Sequence, residues 1–291
     1  MDRTKTLAGL IAVLALTGCS ASNALRVGSK NFTEQVVLGE IIAQHLEHRL
    51  SVPVERNLNL GGTLLAHQAL INGEIDLYPE YTGTAASVVL KQDPTIDPAG
   101  VLARVQSEYR TRFSVEWLDP LGINNTFAMV IRGNRARAGQ LRTLSDAAQS
   151  PAPWTLGVGY EFEQRDDGMP ALQNTYHLPI AGAPKTMDLG LLYRAIEQDQ
   201  VTMVAANSTD GLLSSMDLVM LEDDRHAFPP YEASIAVRTD TLDRVPGLRE
   251  ALVELTGVLD NRTMQELNYQ VDGRHVPVAE VAEGFLTEHG L

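Results

Sequence analysis

One thiol is available in 291 residues, that of Cys19, and it closes the run Leu16-Thr17-Gly18-Cys19. A cysteine that ends a short apolar leader is where a signal peptidase cuts and where lipid is attached to sulfur. Arg3 and Lys5 supply the positive flank, and the apolar run 7–16 is too short to cross a bilayer. Residues 1–18 are therefore expected to be a lipoprotein signal peptide, and 19–24 the lipidated cysteine and its tether. The rest would work outside the cytoplasmic membrane, in the periplasm or at the cell surface, anchored through lipid. An ordinary secretory leader with an incidental Cys19 is the alternative. With this thiol committed, no disulfide, thiolate nucleophile or cysteine metal site remains.

The other reactive residue types form no catalytic pattern. His45 and His48 lie three apart on a helical stretch with no third ligand in view, which reads as solvated histidines and no metal site. Asp166-Asp167 and Glu222-Asp223-Asp224 lack calcium-loop spacing and read as solvated acids or local hydrogen-bond acceptors. Gly61-Gly62 lacks the spacing of a phosphate loop and reads as a tight turn before a helix. There is no Gly-x-Ser-x-Gly elbow and no His-Glu-x-x-His helix, so an exported hydrolase is the weaker class and a non-enzyme without cofactors is expected. The net charge of −14 repels phosphate backbones, which argues against nucleic acid as a partner.

The elements that must position any site alternate along the chain. Strands are expected at 25–27, 52–58, 75–78, 115–118, 127–131, 154–158, 201–205 and 234–237. Helices are expected at 37–46, 63–72, 101–113, from 145, and at 170–176, 187–198, 248–259, 263–269 and 278–288. Asn31 with Glu34 three residues later predicts a capping pair for the first helix. This order implies an α/β fold of mixed, mainly parallel sheets flanked by helices. Segments rich in Gly, Asn and Pro at 119–125 and 228–230 read as crossovers, giving one lobe from 25–123 plus 231–291 and a second from 124–230. Two lobes joined by two strands can close on a ligand by hinge motion.

Six motifs in order, VGSKNFTEQ (27–35), LGGTLLAHQAL (60–70), EIDLYPEYTGT (74–84), EFEQRDDGMPAL (161–172), LEDDRHAFPPYEA (221–233) and LNYQVDG (267–273), resemble the extracytoplasmic solute-binding proteins of bacterial importers for glycine betaine, choline and related osmoprotectants. The resemblance implies a two-lobed, type II periplasmic-binding-protein fold with an ABC permease and its ATPase as partners. It implies a small quaternary ammonium cargo. Such a head has no N–H to donate and is read best by aromatic faces, while a betaine carboxylate needs Lys or Arg donors.

Carried over position by position, the resemblance implies Lys30 and Arg165 as carboxylate donors with the Thr84 hydroxyl beside them, and Tyr81 and Tyr231 as cage rings. The remaining cage positions fall on Phe127, which keeps a ring without its hydroxyl, and on Asn207, which has no ring where tyrosine is expected. That departure leaves the cargo open among glycine betaine, choline, carnitine, an ergothioneine-like betaine and an amino-acid derivative, and leaves sensing as an alternative to import.

Overall fold

The computed structural model describes residues 24–92 and 97–291. The leader and Cys19 lie outside the described residues. Among the described residues ten strands form two five-stranded sheets. The first contains β1 (Leu25–Gly28), β2 (Val54–Asn57), β3 (Leu77–Tyr81), β4 (Val115–Trp117) and β10 (Ala233–Arg238), in the order β2-β1-β3-β10-β4. The second contains β5 (Phe127–Arg132), β6 (Leu156–Val158), β7 (Lys185–Thr186), β8 (Met203–Asn207) and β9 (Leu218–Met220), in the order β7-β6-β8-β5-β9.

Both sheets are mixed, as expected, but the parallel share is smaller than the alternation of elements suggests. β1 runs parallel to β2 and β3, and β6 parallel to β7 and β8, whereas β10 and β5 are antiparallel to both their neighbours. Those two strands adjoin the segments through which the chain passes from one sheet to the other. The passing segments lie side by side, bridged at Asn124 and Glu232, with the Asn125 amide donating to the Tyr231 carbonyl and the Ala233 amide to the Ile123 carbonyl.

Pro79 sits in the middle of β3, buried with the rest of that strand. A central strand tolerates proline only where no ladder donor is needed. Ile235 stands opposite, and its carbonyl accepts from Leu118 of the next segment, so the Pro79–Ile235 pair exchanges no hydrogen bond. On the other side β1 pairs with β3 at Val27↔Leu77 and has ended before it reaches Pro79. The strand can therefore run on to Tyr81, three residues beyond its expected end.

The helix Thr33–Leu50 buries Val37, Leu38, Ile41, Ile42 and Leu46 against the first sheet and the C-terminal helices, which accounts for the periodicity read from the sequence. Two expectations for it fail. No side chain caps its first turn, because Glu34 turns inward and is buried. His45 is not solvated but fully buried, its Nε2 at 2.8 Å from the Ala251 carbonyl of the helix Leu248–Val253. Where the helix Asn261–Asp272 meets the short 3-10 turn Gly211–Ser214 of the second half, a Cβ on Gly211 would strike the Tyr269 backbone, so only glycine lets the two halves touch there.

Candidate ligand-binding cleft

The chain turns that matter follow the C-terminal ends of the parallel strands, where open α/β sheets leave a crevice. Lys30 follows β1, Tyr81 and Thr84 end or follow β3, Arg165 follows β6 and Asn207 ends β8. Phe127 opens β5 directly opposite Asn207, and Tyr231 leads into β10. All seven line one cavity of about 630 Å³ between the two sheets. That volume lies within the ~300–1,000 Å³ usual for small-molecule sites.

Each cation in the cleft is already paired. Lys30, 3% exposed, places Nζ 2.5 Å from Glu80, whose other oxygen accepts from the Tyr78 hydroxyl. One of its three protons is used and two are free. Arg165 grips Asp167 with two bonds, Nε at 2.8 Å and Nη2 at 2.6 Å, and reaches Thr84 Oγ1 at 3.2 Å, while its Nη1 lies 3.5 Å from Glu161 in a looser ion pair that a ligand carboxylate could share. Asp167 is thus no solvated acid: it is buried, and also accepts from Ser87 and from the Tyr231 hydroxyl at 2.8 Å. Burial pushes its carboxyl up, but the Arg165 guanidinium and these donors more than reverse that, and it stays below the usual carboxylate range.

The rings are arranged around these cations. Lys30 Nζ lies 4.6 Å from the centre of Tyr81, and the Arg165 guanidinium 5.0 Å from Phe127 and 5.6 Å from Tyr231. Phe127 packs edge-on against Tyr231, Phe162 and Phe228. Burial pushes the Tyr81 and Tyr231 phenols up, so both remain protonated donors at neutral pH. By neutralising Arg165, Asp167 removes a charge that would repel a second cation from the same ring faces.

Several lining residues were not singled out by the sequence reading. Phe162 lies inside EFEQRDDG, where a hydrophobic residue among acids is the only signal. Glu161 of the same motif accepts from the Thr63 amide at 2.7 Å, so the turn at Gly61-Gly62 does receive an anion at a helix N-terminus, one supplied by the opposite half of the protein. Glu34 is a hub: its carboxylate accepts from Tyr81 (2.6 Å), Asn125 (2.9 Å), Thr209 and Asn268 (3.3 Å). Burial raises its pKa against the pull of these four donors.

Asp210, also in the lining, accepts from the Tyr193 hydroxyl (2.7 Å) and the Asn207 amide (3.1 Å). Burial lifts its carboxyl to about 6. Against an unfolded value of roughly 3.9, the folded state holds the extra proton between about pH 4 and 6. The stability this group contributes is then fully present below about pH 4 and lost as pH rises through 6. Asp210→Asn removes the titration, so the melting temperature of the variant minus that of the wild type should increase from pH 4.5 to 7.5. Parallel curves would contradict the burial argument.

Comparison with known proteins gives one answer. Residues 23–288 match the family model described as the substrate-binding domain of the ABC-type glycine betaine transport system. The chain is 32% identical over 274 residues to the carnitine transport binding protein OpuCC of Listeria monocytogenes, covering 94% of this chain and 89% of that one. It is 34% identical over 294 residues to a glycine-betaine-binding protein of Pseudomonas aeruginosa, covering 98% and 92%. A crystal structure described as a glycine betaine/carnitine/choline ABC transporter superposes with a TM-score of 0.78 at 30% identity, over 91% of this chain and 98% of that one.

Proposed function

The chain belongs to the family of substrate-binding domains of ABC-type glycine betaine transport systems, and from that premise we propose that it captures a small quaternary ammonium compound in the cleft and hands it to a membrane permease driven by an ATPase. Members of this family are transport components that work outside the cytoplasmic membrane. The finer reading adds a lipid anchor on Cys19, tested by whether the full-length protein moves from the membrane to the soluble fraction on Cys19→Ser.

The observation that carries the proposal is the convergence of three rings and two cations on one cavity. Tyr81, Phe127 and Tyr231 offer π faces to a methylated nitrogen, each contact contributing about 2 kcal/mol once desolvated. Lys30, Arg165 and Thr84 offer donors to a carboxylate. Differential affinity for the closed arrangement, in which Glu161, Thr84 and Ser87 bond across the cleft, would convert binding into a shape the permease recognises.

Thermal shift of the purified protein against glycine betaine, choline, carnitine, proline betaine and the ordinary amino acids tests this. A true cargo raises the melting temperature with concentration, by mass action. Stabilisation by an ordinary amino acid and by none of the quaternary compounds would sink the proposal.

A further inference from the structure

Beside the rings lies a corner whose chemistry a bare betaine does not use. Asn125 and Asn268 are both buried and both line the cavity, and the Oδ1 of each has no hydrogen-bond partner among the described residues. The amides cannot be turned to relieve this: each Nδ2 faces the carboxylate of Glu34, which only accepts when ionised, so the oxygen is the atom left over. Glu34 also holds Thr209, the residue before Asp210. Asp210 itself is met by the neutral donors Tyr193 and Asn207, with one oxygen reached only by the Asn207 Nδ2 at 3.4 Å.

Unpaired buried acceptors are costly, and a native site that keeps several of them against a cavity is matched to a donor that arrives with the ligand. Among the charged residues lining the cavity, Glu34, Glu161, Asp188, Asp210 and Asp272 outnumber Lys30 and Arg165, both of which are paired elsewhere. Asn207 adds space at the same place, because an amide occupies a position where the resemblance implies a ring. Tyr81 connects the corner to the cage, since its hydroxyl donates to Glu34. Asn125 and Asn268 share Glu34 with that hydroxyl and line the same cavity as Asp210, which sets the corner beside the cage.

We propose that Asn125, Asn207, Asp210 and Asn268 form a second recognition subsite that accepts hydrogen bonds from an N–H or O–H group, so that the preferred cargo is a quaternary ammonium zwitterion with a donor-bearing branch. The inference rests on the quaternary ammonium reading above and narrows it. A site built to accept a donor discriminates strongly against an analogue that lacks one, because its own polar groups then stay unpaired.

Isothermal titration calorimetry at pH 7.5 tests it with three probes: glycine betaine, which has no donor, L-carnitine, with a hydroxyl, and histidine betaine, with an imidazole N–H. At least one donor-bearing probe should bind about tenfold more tightly than glycine betaine or better. Asp210→Asn should shrink that ratio severalfold while glycine betaine affinity stays within about threefold. Asn207→Tyr, which puts a ring into the corner and keeps the Asp210 carboxylate while removing the long Nδ2 contact to it, should reverse the preference by tightening glycine betaine and weakening the donor-bearing probe. Glycine betaine binding as tightly as both other probes, or a uniform loss for all three in Asp210→Asn, overturns the subsite and leaves the quaternary ammonium reading standing. No binding of any quaternary probe brings down that reading and the subsite with it.

Discussion

Tyr231→Ala is expected to weaken the binding of whichever quaternary amine the wild type holds by about 100-fold, measured by calorimetry. A desolvated cation–π contact of about 2 kcal/mol accounts for roughly 30-fold. The remainder follows from Asp167, which loses the Tyr231 hydroxyl at 2.8 Å and with it part of the grip that fixes and neutralises Arg165. The backbone at 231 is held independently, its amide donating to Asn124 Oδ1 at 2.7 Å and its carbonyl accepting from Asn125, so the variant should still fold. Tyr231→Phe separates the two contributions: the ring stays, the hydroxyl goes, and the loss should be less than about tenfold. An alanine variant with wild-type affinity would show that this ring does not touch the ligand.

Lys30→Met should destabilise the protein and abolish tight binding of a carboxylate-bearing cargo at once. Glu80 is fully buried, and without the ammonium it keeps, among the described residues, only the Tyr78 hydroxyl and the Tyr81 amide as donors. An orphaned buried charge costs about 3–5 kcal/mol. For a chain of this size that lowers the melting temperature by roughly 10 °C. Adding Glu80→Gln should recover most of the stability, because the charge is gone, but none of the affinity, because the donor to the ligand is still missing. If the double substitution restored both, Lys30 would be a structural ion-pair partner and nothing more.

How much of this was legible beforehand depended on the range of the interaction. The alternation of strands and helices could be read because it is carried by local runs, and the seven residues that line the cavity are reached through motifs that resemble a known family. The partners that make those residues work could not. Glu80 lies 50 residues from Lys30, and nothing near Asp167 announces that its carboxylate is buried between Arg165, Ser87 and Tyr231. Glu34 departs from the expected capping role for a related reason. Three residues after Asn31 it fits a cap, but four donors from distant parts of the chain outweigh two amides at a helix end. His45 looked solvated since it lies off the apolar stripe, and the helix that covers it is supplied by the far C-terminal region.

The two passages of chain between the sheets are bonded to each other around Asn124 and Glu232. They form a ribbon, and a ribbon bends across its flat face far more readily than it stretches or skews. A hinge at this ribbon would restrict opening of the cleft to something close to a single degree of freedom. A membrane partner that reads the shape of the cleft would then have only an ajar and a shut silhouette to tell apart.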